Sequence, residues 1–399
     1  MNSFEQDLCS RLETIREQSL LRMLRPVAGP QAAHIEVGGR ELLNFSSNDY
    51  LGLSNHPLVK EAAASASQRH GAGSGSSRLI CGSLAPHQEL EFCLADFKGT
   101  AAALSFSSGY AAALGTIGAL MEKGDVIILD RLSHACLVDG ARLSGAAIRV
   151  FKHNDLENLE NVLKQEADRI ATQKGSRRPR LLVVTEGVFS MDGDRAPLAA
   201  IADLKDRYGA WLMVDEAHAT GMHGPHLRGV ADELGVSHRI EIQMGTMGKA
   251  LGSAGGFICG AQPLIDVLVN RARSFIFSTA PVPAAAAAAK AAVELIRSGQ
   301  CQENLTRLWQ HVTSLRENLS TMAGPALCPI LPLHIGEESQ AASAGRALLE
   351  HGIFIPAIRY PSVARGKARL RLTVSAAHSS ADIQLLLDGL KSLGLAQHL

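Results

Sequence analysis

The stretch GTMGKALGSAGG, residues 245–256, sets one lysine, Lys249, among glycines, alanines and a serine. Residues this small let another group come close to the backbone, and a lysine there can either hold a charge or react. A Walker phosphate loop is excluded: its G-x-x-x-x-G-K-[ST] pattern needs glycine where Gln243 stands and a hydroxyl where Ala250 stands. The alternative is a Schiff-base lysine. Its amine, with a free pKa of about 10.4, attacks carbonyls only when a dry pocket, a nearby cation or a captured aldehyde keeps it unprotonated.

The elements that must position this lysine are legible around it. The apolar runs VIILD (126–130), LLVVTE (181–186) and WLMVDEAH (211–218) each end abruptly in polar residues. Such runs read as strands buried on both faces of a parallel sheet. Between them, HNDLENLENVLKQEADRI reads as a helix with Asn154 and Glu157 as candidate caps and Leu156, Leu159, Leu163 and Ile170 on one face. The alternation predicts an α/β fold, a mostly parallel sheet with flanking helices.

In such sheets ligands bind beyond the carboxyl ends of the strands. That rule gathers Glu186 followed by Ser190, Asp215 with His218, and Thr246 with Lys249 on one rim. Taken singly, Asp215 is an ordinary helix cap, His134 or His218 a structural imidazole, and Ser190 or Thr246 a turn hydroxyl. Their joint placement just after buried strands favours a site. HGAGSGSSRLICG (70–82) has no buried strand before it and the wrong glycine spacing for a dinucleotide fingerprint. SSGYAAALGTIGAL (107–120) is better placed, with Gly109 and Tyr110 opening a helix whose amides and dipole suit a phosphate. Pyridoxal phosphate needs a lysine, a carboxylate for its ring nitrogen and a helix start for its phosphate, and Lys249, Asp215 and Gly109–Tyr110 supply these.

The totals are compatible with this reading. The chain has 399 residues, 46% hydrophobic and 20% charged, with 39 basic and 39 acidic side chains. A net charge of zero gives no field suited to nucleic acid. The seven cysteines are scattered and form no Cys-x-x-Cys pair, so buried thiols in a reducing, cytoplasmic setting are expected rather than disulfides or a metal knuckle. Phe4, Leu8, Leu12 and Ile15 mark an amphipathic N-terminal helix rather than a signal peptide. Lys290 and Glu294 break up the alanine-rich stretch from Ala284, so a packed helix is expected there and no membrane span. Near residue 295 the texture changes. ILPLHIG (330–336) and ARLRLTVS (368–375) then read as strands of a smaller α+β unit, the second with one face covered because Arg369, Leu370, Arg371 and Leu372 alternate. The expected division is an N-terminal helix and arm over 1–55, a large cofactor-binding domain over 56–295 and a C-terminal small domain over 296–399.

Six stretches together resemble the α-oxoamine synthases, pyridoxal-phosphate enzymes of the aspartate-aminotransferase-like fold (PLP fold type I). They are NFSSNDYLGLSNHP (44–57), DRLSHACLVDG (130–140), TEGVFSMDGDRAPL (185–198), VDEAHATG (214–221), GTMGKALGSAGGF (245–257) and ARLRLTVSAAH (368–378). The resemblance implies that Lys249 carries the cofactor, that Asp215 faces its ring nitrogen and that His134 stacks on its ring. It puts Ser190 and His218 near the ring oxygen, and Gly109, Tyr110 and Thr246 at the phosphate. Thr279 would reach the cofactor phosphate of a neighbouring subunit, which implies a homodimer with its active site at the interface. Asn48 and Arg359 would lie around the amino-acid carboxylate, and Arg22 and Ser362 near the acyl substrate. Within the family, FSSNDYLGLS and AIRYPSVARGKARLRL favour the branch that condenses L-alanine with a pimeloyl thioester, carried by CoA or an acyl carrier protein. Sister enzymes use glycine or serine with acetyl, succinyl or palmitoyl thioesters. Tyr360 and Ala364 stand where prolines are common, Ser362 where threonine is usual and Ala113 where an asparagine is frequent, departures that bear on the acyl pocket more than on the reaction.

Overall fold

The computed structural model describes residues 1–172, 177–319 and 328–395. Contacts divide the chain into two compact units, one of residues 53–190 and 194–303 and the other of 1–52, 191–193 and 304–399.

The larger unit is built on a seven-stranded sheet. In chain order its strands are β1 (Ala102–Phe106), β2 (Val126–Asp130), β3 (Ala147–Phe151), β4 (Leu181–Glu186), β5 (Trp211–Asp215), β6 (Ile242–Thr246) and β7 (Gly256–Gly260). Their spatial order is β1-β7-β6-β5-β4-β2-β3. All neighbours are parallel except β7, which runs antiparallel to both β6 and β1. Every residue of β2 and β4 is buried, as their unbroken apolar runs require. On one side, Leu104, Ile127, Leu129, Val184, Met213 and Met244 pack with Ile117 and Leu137 from the helices Gly109–Leu120 and Ala135–Ser144. Each such side chain contributes roughly 1.5–3 kcal/mol by leaving water. Ala113, at the position where asparagine is frequent, is fully buried in the first of these helices, and its carbonyl lies under Gly140 of the second.

The helix after β3 runs from Leu156 to Thr172 and buries Leu159, Leu163 and Ile170. Its cap is neither Asn154 nor Glu157. The Asp155 carboxylate accepts the Asn158 amide at 2.9 Å, while Asn154 occupies the left-handed region at φ 54°. The alanine-rich helix Pro283–Arg297 buries Ala286, Ala288, Ala289 and Ala292. Among the described residues no helix is long and apolar enough to cross a membrane.

In the second unit, the strand Arg40–Asn44 pairs with His34–Val37 and, in parallel, with Ile353–Phe354. That pairing places the N-terminal segment in the same compact unit as the C-terminal one, with contact boundaries at 52/53 and 303/304 beside the sequence-based 55/56 and 295/296. A second sheet pairs Ile330–Gly336 and Ala357–Ile358 with Ala368–Thr373. The strand Ala368–Thr373 is buried along its whole length, not on one face as its alternation suggested. Its arginines are compensated. Arg369 meets Asp192 at 2.7 Å, and Arg371 donates to Asn48 at 3.1 Å and to Thr373 at 3.0 Å.

The N-terminal helix spans Ser3–Glu17 behind an Asn2–Glu5 capping box, and none of its residues is buried. Four of the seven cysteines, at 136, 259, 301 and 328, are buried thiols as expected. Cys9 and Cys81 are exposed, because one lies on the uncovered N-terminal helix and the other in the turn after Arg78.

Candidate active site

The carboxyl ends of β2, β4, β5 and β6 deliver Asp130, Glu186, Asp215 and Thr246 to one edge of the large-unit sheet. Lys249 follows β6 by one turn, and its Nζ lies 2.7 Å from Nε2 of His218, which follows β5. Asp215 is buried, and its Oδ1 accepts the Ala217 amide at 2.9 Å. Burial holds its carboxyl above the ordinary aspartate range, against the pull of the Lys249 ammonium.

The helix start at 109 is set by Ser108, whose hydroxyl accepts the Ala111 amide at 3.0 Å. Its first turn leaves N–H groups pointing out of the helix end. Thr246 stands beside it: a β-carbon added to Gly109 would meet that of Thr246 at 3.7 Å. A β-carbon on Gly256 would come within 2.6 Å of Gly109, so glycine is needed there for the Ser108–Gly109 turn to lie on β7. The group that crowds the glycine-rich stretch at this point is thus the chain's own backbone. Tyr110 points to the next helix, its hydroxyl donating to Asp139 at 2.6 Å. Ser190 is buried in the loop after β4, and Thr279 is exposed beside an isolated bridge to Ser77.

His134 caps the helix Ala135–Ser144 with its own ring. The backbone amide of Cys136 can only donate, so Nδ1 of His134, 3.2 Å away, accepts. The Cys136 thiol lies 3.0 Å from the same nitrogen. The ring proton therefore sits on Nε2, and partial desolvation lowers the imidazole pKa despite the nearby Asp215 charge, although the residue keeps an exposed face.

The other expected substrate residues lie in the second unit. Arg22 donates to the Tyr360 carbonyl at 2.8 Å, and the Ser362 amide donates to the carbonyl of Arg359 at 3.0 Å, so these three residues come together. The guanidinium of Arg359 is bonded to the carbonyls of Ser19 and Leu21, its Nε is buried without a partner among the described residues, and burial with the neighbouring Arg22 lowers its pKa. Asn48 sits in a separate network, where its Oδ1 accepts from Tyr50 and Arg371, each at 3.1 Å.

The profile of the aminotransferase class I and II family matches residues 40–390. The chain belongs to that family. Within it, this protein groups with the α-oxoamine synthases. It is 44% identical over 390 residues to an 8-amino-7-oxononanoate synthase of Geobacter sulfurreducens, covering 97% of each chain. It is 45% identical over 388 residues to one of Geotalea daltonii, covering 96% of each. A solved lysine-to-alanine variant of serine palmitoyltransferase from S. paucimobilis with a bound PLP–myriocin aldimine superposes with a TM-score of 0.88 at 29% identity, over 100% of this chain and 99% of that one.

The expected α-oxoamine synthase residues account for part of this edge only. Glu186, in the sequence only the polar end of a strand, accepts the His134 amide at Oε1, 2.6 Å away. Burial, and then the charge of Asp215 paired with it across β4 and β5, drives its carboxyl well above the usual range. Burial thus favours the protonated form of Glu186 more strongly than that of Asp215. Glu186→Gln, which keeps shape and mimics the protonated form, is expected to change kcat/KM by less than about threefold. Glu186→Ala removes the acceptor of the His134 amide and is expected to cost about 0.5–1.5 kcal/mol in urea unfolding. Equal stability losses in both variants would contradict the assignment. The signal was available, since a glutamate closing a fully apolar strand is rarely left charged, but its partner lies 52 residues away.

Proposed function

We propose that this protein uses pyridoxal phosphate to condense L-alanine with a pimeloyl thioester, on CoA or an acyl carrier protein. The products are 8-amino-7-oxononanoate, carbon dioxide and the free thiol. The observation that carries this reading is the Lys249–His218 contact of 2.7 Å on the edge that also holds buried Asp215 and the Gly109 helix start. The relatives at 44% and 45% identity support the choice of product.

The residues fit the cofactor. A buried carboxyl suits a protonated ring nitrogen, and a helix start seated on Gly256 suits a phosphate. When bound, pyridoxal phosphate supplies a carbonyl that captures an amine and a ring that takes up the electrons of a broken C–H bond. Asp215 would favour a proton on the ring nitrogen of that cofactor by its charge. Lys249 Nζ takes the α-proton of alanine as general base, with His218 Nε2 fixing the direction of the amine. His134, with its proton on Nε2, donates to a carboxylate or carbonyl of the substrates. The C–H bond of alanine is replaced by a C–C bond to the thioester carbonyl. The C–S bond breaks, and the proton held by Lys249 is available to the leaving sulfur. The carboxylate then departs as carbon dioxide and a solvent proton takes its place.

Arg359 and Asn48 serve the amino-acid carboxylate in this proposal, and Arg22 and Ser362 the acyl chain. For Arg359 this requires exchanging its bonds to the carbonyls of Ser19 and Leu21 for a bidentate one. Thr279 serves a second copy of the chain in a homodimer, and the reaction is placed in the cytoplasm. The test is mass spectrometry of products formed from alanine, glycine or serine with a panel of acyl thioesters. Alanine with the pimeloyl thioester is expected to give the dominant product. A dominant glycine and acetyl product would move the protein to a sister activity.

A further inference from the structure

Outside the residues around Lys249, the His153 imidazole is held between two carboxylates. His153 lies just beyond the end of β3. Its Nδ1 is 2.9 Å from Oδ1 of Asp130, and its Nε2 is 2.6 Å from Oδ2 of Asp194. A ring whose two nitrogens both face carboxylates carries a proton on each. Burial opposes that charge, but the bonds to Asp130 and Asp194 outweigh it and push the pKa up to about 10.

The two carboxylates belong to the two loops that carry active-site groups. Asp130 closes β2 and is itself buried. It accepts the Leu132 amide at 2.8 Å, which shapes the turn leading to His134. Asp194 closes the loop that holds Ser190, because its carbonyl accepts the Phe189 amide at 2.9 Å. The Phe189 ring meets the His153 ring edge-on, with centroids 4.4 Å apart. Asn154 repeats the connection. Its amide donates to Asp130 at 3.0 Å, and its side chain donates to Asp194 at 2.9 Å and to the Arg195 carbonyl at 3.0 Å. The left-handed conformation of Asn154, which removes it from the cap of the following helix, lets both bonds form at once.

We propose that His153 is a positioning residue: a charged clasp between Asp130 and Asp194 that holds the turn bearing His134 in register with the loop bearing Ser190. Because Ser190 and His134 are assigned to the cofactor ring, this inference rests on the proposed function. His153, Asp130 and Asp194 are not among the residues assigned to substrate or cofactor. The clasp acts through the alignment of the two loops, where a displacement of about 1 Å is enough to slow the chemical step 100-fold.

The test compares wild-type holoenzyme with His153→Gln, Asp194→Asn and the double variant. It reads kcat, KM for alanine, visible circular dichroism of the bound cofactor, borohydride-fixed cofactor at Lys249 and thermal unfolding. Either single variant is expected to lower kcat about 10- to 100-fold with KM within about threefold. Cofactor incorporation is retained and its ellipticity altered. The double variant is expected to be no worse than the more severe single variant, because both remove the same clasp. Unchanged kcat and ellipticity with a lower melting temperature would reduce His153 to a structural role and overturn the proposal. If His153→Gln does not fold, Asp194→Asn, at a side chain 42% exposed, carries the same test. A wild-type enzyme that takes no cofactor at Lys249 would instead sink the proposed function, a distinguishable result.

Discussion

Lys249→Ala is expected to abolish turnover and to remove the borohydride-fixed cofactor from the purified protein, while wild-type enzyme carries the tag at residue 249 and nowhere else. Two contributions vanish together. The covalent anchor for the cofactor is lost, and so is the amine that takes the α-proton. The second alone is worth about 10²–10⁴ in rate. The position does not admit an easy substitute. Its neighbour His218 is already hydrogen-bonded to it at 2.7 Å, and Lys98, also buried in the large unit, donates to the Arg228 carbonyl. Added amines can restore the base but not the anchor, so partial chemical rescue without a tag is compatible with the assignment. A tag on another lysine, or an active Lys249→Ala enzyme, would overturn it. The variant is expected to fold, because Lys249 is only half-buried and its removal leaves no large cavity.

The sequence made the sheet edge readable because burial on both faces forces an unbroken apolar run, and a run can end only where the strand leaves the core. β2 and β4 coincide with VIILD and LLVVTE for that reason. β1 and β7 carry no such signal. Ala102–Phe106 is short and alanine-rich, and Gly256–Gly260 begins inside the glycine stretch that reads as loop. The alternation of Arg369 and Arg371 misled for a different reason: periodicity records polarity, and these polar groups are buried against partners such as Asp192 and Asn48 far away in sequence. The same blindness explains the site. Lys249, Asp215 and His218 announce themselves by following strands. The bonds around them, from the His134 amide to Glu186 or between His153 and Asp194, join residues that no local pattern connects. The pairing of Arg40–Asn44 with Ile353–Phe354, which unites the two ends of the chain, is hidden for the same reason.

Asp215 provides the second large effect. Asp215→Asn keeps the shape of the side chain and its acceptor for the Ala217 amide, and removes only the charge. An opposite charge beside an ionised group is worth about 1–3 pKa units. The protonated ring nitrogen therefore loses about 1.4–4 kcal/mol of support, and kcat is expected to fall about 10- to 1,000-fold with weaker cofactor retention. Glu186 sets where in that range the result falls. In the wild type burial and then the charge of Asp215 both favour its protonated form. Neutralising Asp215 withdraws the second cause, Glu186 gives up its proton more readily, and its carboxylate partly replaces the missing charge across the β4–β5 pair. Asp215→Asn with Glu186→Gln closes that route and is expected to be slower than Asp215→Asn alone, although Glu186→Gln by itself is nearly silent. Steady-state kinetics of the four enzymes, with cofactor dissociation measured in parallel, decide the matter. Unchanged kcat in Asp215→Asn would remove the carboxylate from the mechanism. Strict additivity with Glu186→Gln would leave Asp215 in place and dissolve the coupling between the two acids.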